Sequence, residues 1–245
     1  MRELDREIDT TPRSDAIAVI GRGRLGGVLA AALGAPRPLG RGEAPPRQAR
    51  VVILAVPDAA IAPLAAGLAR GPAVGHCAGA LGLDVLAPHD ERFSLHPLMA
   101  LTPASTAADL AGAGAAIAGS TAAALELARA LARRAGLDPF ALADGDRALY
   151  HAAASVGSNF LVTLEGVAEH LFALAGVERR HAARLARASL ENWAALGAGR
   201  ALTGPIARGD AATVARQREA IAGRAPELLP VYDALAGATR SLAAA

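Results

Sequence analysis

Nine residues near the beginning of the chain decide its fold: Ala18-Val19-Ile20-Gly21-Arg22-Gly23-Arg24-Leu25-Gly26. Their glycines follow the pattern G-x-G-x-x-G, directly after a short apolar run and at the start of an alanine-rich helical stretch. In such a unit the first glycine allows a tight turn, the second lets backbone N–H groups approach a pyrophosphate, and the third permits close packing. The helix N-terminus stabilises the phosphate charge. The stretch therefore predicts a dinucleotide-binding loop.

Outward from this loop, short apolar runs alternate with helical segments as far as residue 143. Strands that are covered on both faces are apolar throughout, so this alternation predicts an α/β fold with a doubly wound, parallel sheet of the Rossmann type. A weaker strand is expected at Arg37–Leu39, and a helix over Thr121–Ala135 with Gly136 as its C-terminal cap. The main predicted strands are Ile17–Ile20, Val51–Val56, Ala73–Cys77, Phe93–His96, Ala115–Ala118 and Phe140–Ala143.

After Asp144 no strand-like alternation returns, and the sequence predicts helices only. We therefore expect a dinucleotide-binding domain over residues 15–145, an all-α C-terminal domain over residues 146–245, and a disordered or extended lead-in over residues 1–14. One conspicuous loop, Gly197–Gly209, interrupts the helical half. The predicted helices are Arg147–Ala175, Glu178–Leu196, a segment capped by Asp210 that runs to Ala222, and Pro226–Leu242.

Composition excludes several classes of protein and of chemistry. The 245 residues are 53% hydrophobic and 20% charged, which predicts a folded chain. A formal net charge of +2 argues against an electrostatic nucleic-acid binder. Every one of the 25 basic residues is arginine. A Schiff-base lysine, a phosphate-binding Walker lysine and a lysine general acid are therefore excluded.

No feature of the sequence predicts a membrane span, a disulfide or a metal site. The apolar stretch Leu149–Val177 carries histidines, glutamates and an asparagine, so it indicates a buried helix. The first residues lack an apolar signal core. The single Cys77 excludes an internal disulfide, and the histidines are scattered. We expect a cytoplasmic protein.

The residues that follow the weak strand bear on the choice of cofactor. Sites that prefer NAD carry Asp or Glu about 20 residues beyond the loop, to hold the ribose 2'-hydroxyl, and none is well placed here. Arg41 could instead bind a 2'-phosphate, which favours NADP while NAD stays possible; it could equally be a surface arginine. Arg22, Arg24 and Leu25 are also expected beside the cofactor, although Arg24 could stay in solvent.

Seven motifs are distributed over nearly the whole chain: Gly21–Gly26, Leu54–Asp58, His76–Ala80, Ser94–Leu98, Tyr150–Ala154, Ser158-Asn159, and Leu202–Ile206 with Arg208–Asp210. With them the chain resembles the bacterial Rossmann-like proteins with a DUF2520 C-terminal domain, in the 6-phosphogluconate-dehydrogenase-like superfamily. The resemblance implies an NAD(P)-binding domain, a helical domain that usually builds a dimer, and an active site in the cleft between them. Some related proteins look like alternative ketopantoate reductases of pantothenate synthesis.

Three of these motifs follow predicted strands, at the edge where ligands of open α/β sheets bind. We expect these loops to border the ribose and the nicotinamide, and Ala78 and Gly79 to allow close approach of the cofactor. Cys77 is expected to pack within its strand. The three segments are Val56-Pro57-Asp58, Ala78-Gly79-Ala80 and His96-Pro97.

Reduction of a ketone leaves an alkoxide that must be protonated, and no lysine can supply the proton. In better-known relatives a lysine precedes a substrate-binding asparagine by one turn; here Ser155 stands about where that lysine would be, before Asn159. Polar residues spaced three and four positions apart share one face of this helix and form a polar stripe. The stripe either hydrogen-bonds to neighbouring helices or lines a cleft that contains water. The stripe consists of His151, Ser155, Ser158, Asn159 and Thr163.

Histidine is the leading candidate donor, because its ordinary pKa lies near neutrality. His96 and His151 are both positioned for this role, and either could instead be structural. In the loop before the Asp210 cap, Arg208 could clamp a substrate carboxylate with Thr203 adding a hydroxyl, or could pair with a surface carboxylate. Ser158 is a further candidate for substrate binding.

Three functions are compatible with these residues. The first is an NADP-dependent oxidoreductase, acting as a homodimer, that reduces a small 2-oxo acid, with 2-dehydropantoate (ketopantoate) the most specific candidate. The second is a non-catalytic NAD(P)-binding regulator or sensor. The third is a cyclic imine reductase resembling pyrroline-5-carboxylate reductase. The expected partner is a small-molecule carboxylate, and neither nucleic acid nor a membrane is expected.

Overall fold

The computed structural model describes residues 12–245. Most of the predicted lead-in, residues 1–11, therefore lies outside the described residues. The described chain divides into two compact units, one that ends at Ser155 and one that begins at Val156. The boundary expected after residue 145 lies one helix earlier, before Arg147–Ser155.

The first unit contains a six-stranded sheet whose strands follow one another in chain order. Every neighbouring pair is parallel except β4 (Arg92–Pro97) and β5 (Gly114–Gly119), which are antiparallel. The connection between these two strands carries a single 3-10 turn, Ala107–Leu110, instead of the crossover helix of a parallel pair, so the expectation of an entirely parallel sheet is wrong here. The strands are β1 (Ile17–Ile20), β2 (Val51–Leu54), β3 (Ala73–His76), β4 (Arg92–Pro97), β5 (Gly114–Gly119) and β6 (Asp138–Ala141).

The strand expected at Arg37–Leu39 is reduced to one bridging residue. The Leu39 N–H donates to the carbonyl of Val19 (2.8 Å), and the Gly21 N–H donates to the carbonyl of Leu39 (2.9 Å). Proline at positions 36 and 38 removes the neighbouring N–H groups, so the ladder cannot extend. Leu39 and β2 thus flank β1 on opposite sides. The winding reverses at β1, which is where open α/β sheets bind ligands.

Buried aliphatic side chains form one cluster on each face of this sheet. Alternate residues of β1 enter opposite clusters, as the pleat of a strand requires. One cluster packs α1 and α3 against the sheet, and the other packs α2 against it. This confirms the predicted doubly wound α/β fold. The helices of the unit are α1 (Arg24–Leu33), α2 (Asp58–Gly67), α3 (Ala122–Arg134) and α4 (Arg147–Ser155).

The second unit is helical, as predicted, but its first helix differs from the expectation. The continuous helix predicted over Arg147–Ala175 is interrupted by a π-helical turn, Val156–Phe160. A π-turn is wider than an α-turn and changes the face on which later residues lie, so the stripe drawn with α-helical steps does not continue unchanged beyond Ser155. The remaining helices are α5 (Leu161–Leu174), α6 (Arg179–Leu196), α7 (Ala198–Ala201), α8 (Ala211–Arg224) and α9 (Leu229–Ala243).

In the described part of the chain, no helix combines the length and the apolar character that crossing a membrane requires.

Candidate functional site

The glycine loop joins β1 to α1 in a conformation that two of its glycines make possible. Gly21 has a φ of +121°, and a Cβ there would lie 2.1 Å from the carbonyl oxygen of Ala55. A Cβ on Gly26 would lie 1.9 Å from the carbonyl oxygen of Gly21. Gly23 is the N-cap of α1, and its Cβ position meets no atom within 4 Å. The loop therefore closes tightly against the end of β2 and leaves open space at the helix N-terminus.

A cavity of about 320 Å³ lies in front of this loop. Its wall is built from the glycine loop and from the residues at the carboxyl ends of β2, β3 and β4, which meet at the same edge of the sheet. Six of the eight strand-end residues singled out in the sequence line it, together with Met99 and Leu101; Gly79 and Ala80 do not. The lining residues are Gly23, Arg24, Leu25, Ala55, Val56, Pro57, Asp58, Cys77, Ala78, His96, Pro97, Met99 and Leu101.

His96 lies on β4 with its two ring nitrogens in different surroundings. Nδ1 is 2.7 Å from the hydroxyl of Tyr150, and the two rings meet edge to face with centroids 5.5 Å apart. Nε2 points toward Gly79, whose Cβ position would lie 3.0 Å away. Burial, then the neighbouring His151 and Arg147, lower the pKa of His96 from 6.5 to about 4. The ring is therefore neutral at physiological pH, so the near-neutral pKa for which histidine was chosen as the candidate donor is not found at His96.

Gly79 lies between His96 and His151. A Cβ at this position would be 2.8 Å from Cδ2 of His151, so only glycine leaves both rings in place. The sequence predicts cofactor contact for both Ala78 and Gly79; Ala78 lines the cavity, whereas Gly79 packs under the two imidazoles. The structure thus brings both candidate histidines to one loop.

A buried arginine supports the same cluster, and the sequence analysis missed it. The side chain of Arg147 is 2% exposed; Nε donates to Oδ1 of Asp144 (2.6 Å) and Nη2 donates to Oγ of Ser94 (2.6 Å). Nη1 is buried and has no hydrogen-bond partner among the described residues. Arg147 and Tyr150 are one helical turn apart on α4, so one short helix supplies both groups.

His76 is a structural histidine of this loop. Its Nδ1 accepts from the backbone N–H of Ala78 (3.2 Å), which leaves Nε2 to donate to the carbonyl of Gly82 (3.1 Å). Burial lowers the pKa of His76, in keeping with a neutral ring. Its two hydrogen bonds fix the loop that carries Ala78 and Gly79.

Cys77 packs in the strand end, as predicted. Its side chain is 7% exposed, and burial raises the pKa of the thiol to about 12. A thiol with so high a pKa is a poor nucleophile.

A second, larger groove of about 1410 Å³ lies on the other side of Val56 and Pro57. It is lined by Arg22 and by the segment from Leu39 to Arg50, which includes Arg41. Arg41 is exposed and makes no hydrogen bond to a described residue. Arg22 pairs with Glu43, so the prediction that no acidic residue is well placed after the loop is wrong. The available signal was its position, 22 residues after Gly21 (43 − 21).

Arg24 is held away from this groove. Its Nη1 donates to the carbonyl of Leu101 (3.0 Å), so the side chain reaches from the glycine loop to the segment after β4. Arg24 is exposed but is not wholly surrounded by solvent.

The other candidate residues lie on the helical half of the chain. Ser155 ends α4, whereas Ser158 and Asn159 lie in the π-turn. The hydroxyl of Thr163 donates to the carbonyl of Asn159 (3.1 Å), so one member of the predicted stripe bonds within its own helix. Thr203 and Arg208 lie between α7 and α8.

The predicted cap of α8 is confirmed. Oδ1 of Asp210 accepts a hydrogen bond from the backbone N–H of Thr213 (3.0 Å). Hydrogen bonds from the side chain and the backbone of Thr213 lower the pKa of Asp210. Within residues 12–245, no group of His, Cys, Asp and Glu is placed to hold a metal ion.

Comparison with known proteins identifies a family and a fold. Residues 114–239 match the family described as "Domain of unknown function (DUF2520)". None of the curated proteins compared with the chain matches it.

Solved structures resemble the chain over most of its length. A provisionally assigned NADP oxidoreductase from Bacteroides fragilis has a TM-score of 0.78 at 20% identity, covering 93% of this chain and 99% of its own. A protein from Thermotoga maritima has a TM-score of 0.75 at 21% identity, covering 93% and 98%. The 1-pyrroline-5-carboxylate reductase of Streptococcus pyogenes has a TM-score of 0.62 at 14% identity, covering 92% and 98%. At these identities the likeness shows the fold.

Proposed function

We propose that this chain, which belongs to the DUF2520 family, is an NAD(P)H-dependent oxidoreductase that reduces a small 2-oxo acid. One observation carries the proposal: the glycine loop and His96 line the same cavity. The proposed proton donor thus lies at the strand edge where a dinucleotide loop directs its ligand. The names of the similar structures, an NADP oxidoreductase and a pyrroline-carboxylate reductase, support the same class of reaction.

The residues present fit a nicotinamide dinucleotide. Gly23 and the free N-terminus of α1 offer backbone N–H groups to a pyrophosphate, with no Cβ in the way. Val56, Pro57 and Ala78 provide an apolar wall beside them. Bound there, the cofactor supplies a hydride to the carbonyl carbon of the substrate.

His96 is proposed to supply the proton. Burial raises the pKa of Tyr150, so its phenol stays protonated and donates to Nδ1 of His96. The imidazole proton is then on Nε2, and because His96 lines the cavity it can donate this proton to the oxygen of a substrate carbonyl bound there. As the Nε2 proton moves to the developing alkoxide, Nδ1 takes the Tyr150 proton and the ring stays neutral. Solvent reprotonates the phenol, because Tyr150 is only half-buried.

The identity of the oxo acid is proposed from the resemblance, with 2-dehydropantoate the first candidate. A carboxylate on the substrate requires a cation or amide, and Ser158, Asn159, Thr203 and Arg208 stay the proposed partners. A cyclic imine is the second candidate substrate, supported by the name of the Streptococcus pyogenes structure. An imine can arrive protonated and then needs no proton from His96.

The test is oxidation of NADPH and NADH by the purified protein with 2-oxo acids, including 2-dehydropantoate, and with 1-pyrroline-5-carboxylate. We expect turnover with an oxo acid, and about a hundredfold lower kcat in His96→Gln with unchanged cofactor affinity. His151→Gln replaces the other imidazole beside Gly79. Comparing its kcat with that of His96→Gln shows which of the two histidines supplies the proton. Cofactor binding without turnover on any substrate would favour a regulator or sensor. Imine reduction that survives His96→Gln would favour the second candidate.

We further propose that the protein acts as a homodimer through its helical unit. Large apolar side chains of this unit are exposed, including Phe160 at 61% and Trp193 at 58%. Exposed apolar side chains are typical of an association surface where they form one patch, and this supports the proposal. A second copy of the chain is the partner that the resemblance implies.

A further inference from the structure

Three donors converge on the carboxylate of Glu43 at the rim of the larger groove. Arg22 Nη2 lies 2.8 Å from both carboxylate oxygens. Arg37 donates from Nη1 to Oε2 (3.2 Å) and from Nη2 to Oε1 (3.1 Å). The backbone N–H of Gly40 donates to Oε2 (2.7 Å). Two guanidinium groups and one amide therefore surround a single carboxylate, which is itself an oxyanion.

The position of this site in the fold is informative. Arg22 is the second residue of the G-x-G-x-x-G loop, and Gly40 directly follows Leu39, which pairs with β1. A Cβ on Gly40 would lie 3.0 Å from Cζ of Arg22, so glycine lets the guanidinium lie against the backbone. The site thus stands at the end of β1, beside the point where the winding reverses and where the adenosine ribose of a dinucleotide is expected.

The charges of the cluster favour a stronger anion than a carboxylate. Two arginines and one glutamate leave a net charge of +1 by formal count. The hydrogen bond from Arg37, then that from the Gly40 amide, with the charge of Arg22, lower the pKa of Glu43 to about 2, so the carboxylate is ionised in the neutral range. A phosphate monoester carries nearly two negative charges and three acceptor oxygens, which suit forked guanidinium donors better than one carboxylate does.

We propose that Arg22, Arg37 and the amide of Gly40 form a subsite for the 2'-phosphate of NADPH, in which Glu43 is an internal counterion that the phosphate displaces. This inference rests on the proposed function, because it assumes that a nicotinamide dinucleotide binds the glycine loop. It assigns 2'-phosphate recognition to this triad instead of to Arg41.

Glu43 can be displaced because its carboxylate can move into solvent. The side chain is 34% exposed, and it extends from the segment after Gly42, whose φ is +80°. NADH has a ribose hydroxyl at the same place and cannot replace the charge, so Glu43 stays paired when NADH binds. Glu43 therefore lowers the preference for NADPH, and its removal should raise that preference.

The experiment measures the dissociation constants of NADPH and NADH by nicotinamide fluorescence at one fixed salt concentration. Glu43→Gln should tighten NADPH about tenfold, and Arg37→Gln should weaken it about tenfold, with NADH changed less than about twofold in both. Arg47→Gln is the matched control, because Arg47 lines the same groove and makes no hydrogen bond to a described residue. It should leave the NADPH to NADH ratio unchanged.

A second probe isolates the phosphate. Adenosine 2',5'-bisphosphate should compete with NADPH more strongly in Glu43→Gln than in the wild type, whereas 5'-AMP should compete equally in both. This comparison stays informative where a variant loses affinity for both dinucleotides for structural reasons.

Two results would overturn the inference alone. In the first, the wild type binds both dinucleotides but neither Glu43→Gln nor Arg37→Gln changes their ratio. In the second, only Arg41→Gln removes the preference for NADPH over NADH, which would assign binding of the 2'-phosphate to Arg41. Failure of the wild type to bind either dinucleotide would overturn the proposed function together with this inference.

Discussion

The charge of His96 is set by its neighbours, and the proposed chemistry depends on it. Burial and the positive field of Arg147 keep the imidazole neutral, while the Tyr150 hydroxyl fills Nδ1. A protonated ring could no longer accept a hydrogen bond from the Tyr150 hydroxyl at Nδ1. Its positive charge would also be repelled by the buried guanidinium of Arg147. The cluster therefore stabilises the neutral ring with its proton on Nε2, which is the form that the proposed proton transfer through Tyr150 uses.

This arrangement predicts a loss of stability in acid. The pKa of His96 is about 4 in the folded protein and 6.5 ordinarily, so below pH 6.5 the unfolded chain takes up a proton that the folded chain does not. The contribution of the neutral His96 ring to the free energy of unfolding is complete above pH 6.5 and is lost as pH falls toward 4. We expect the wild type to lose up to about 2 kcal/mol more than His96→Gln between pH 7 and pH 4.5.

Urea denaturation at the two pH values measures this difference. His181→Gln is the control, since His181 is an exposed histidine of α6 and its replacement should leave the acid sensitivity as in the wild type. An equal loss of stability in the wild type and in His96→Gln would show that His96 is not held neutral by the fold.

The sequence predicted individual residues only where a local signal marked them. His96 was found because it lies at the carboxyl end of a strand, but its partner Tyr150 is 54 residues away and no pattern links the two. Arg147 resembled every other arginine of the chain until its burial was known. Glu43 was overlooked because the proline-flanked segment before it gave no strand from which to count.

At the level of elements, the G-x-G-x-x-G loop was predictable because each of its glycines has a backbone role that a side chain would obstruct. The strands of the sheet and α3 were found from apolar runs and from the cap at Gly136. Two features were not predictable from periodicity: the antiparallel β4–β5 pair, which depends on the path of a loop, and the π-turn, which keeps a helical pattern in the sequence.

Two adjacent glycines at the start of α1, Gly26 and Gly27, allow the role of the glycine loop to be tested by substitution. In Gly26→Ala the new Cβ would lie 1.9 Å from the Gly21 carbonyl oxygen, so the loop must shift; in Gly27→Ala it would meet no atom within 4 Å. We expect Gly26→Ala to destabilise the protein by about 3 kcal/mol and to abolish dinucleotide binding. Gly27→Ala should bind normally and gain up to about 1 kcal/mol of stability.

Thermal unfolding and NADPH titration of the two variants measure both effects. Tight NADPH binding by Gly26→Ala would contradict the role given to this glycine.

For the whole molecule, the two units differ in how they bury apolar side chains. The first unit has two aliphatic clusters around its sheet. In the second unit, among the described residues, the buried apolar side chains are Ala182, Ile221, Ala225 and Ala236. Ninety residues with so little buried apolar area lack the core that an independent domain of this size needs. The homodimer that we propose would bury more of these apolar side chains.

Association should therefore be sensitive to a charge at the exposed apolar positions of this unit. We expect light scattering after gel filtration to give the mass of two chains for the wild type, and Phe160→Glu or Trp193→Glu to give monomers or to unfold at lower temperature. Leu64→Glu, at a 37% exposed leucine of α2 in the first unit, should stay dimeric. Trp193 is the single tryptophan, so its emission should shift to longer wavelength on dilution below the dissociation constant. A wild-type monomer at all concentrations, with Trp193 emission independent of dilution, would exclude the dimer.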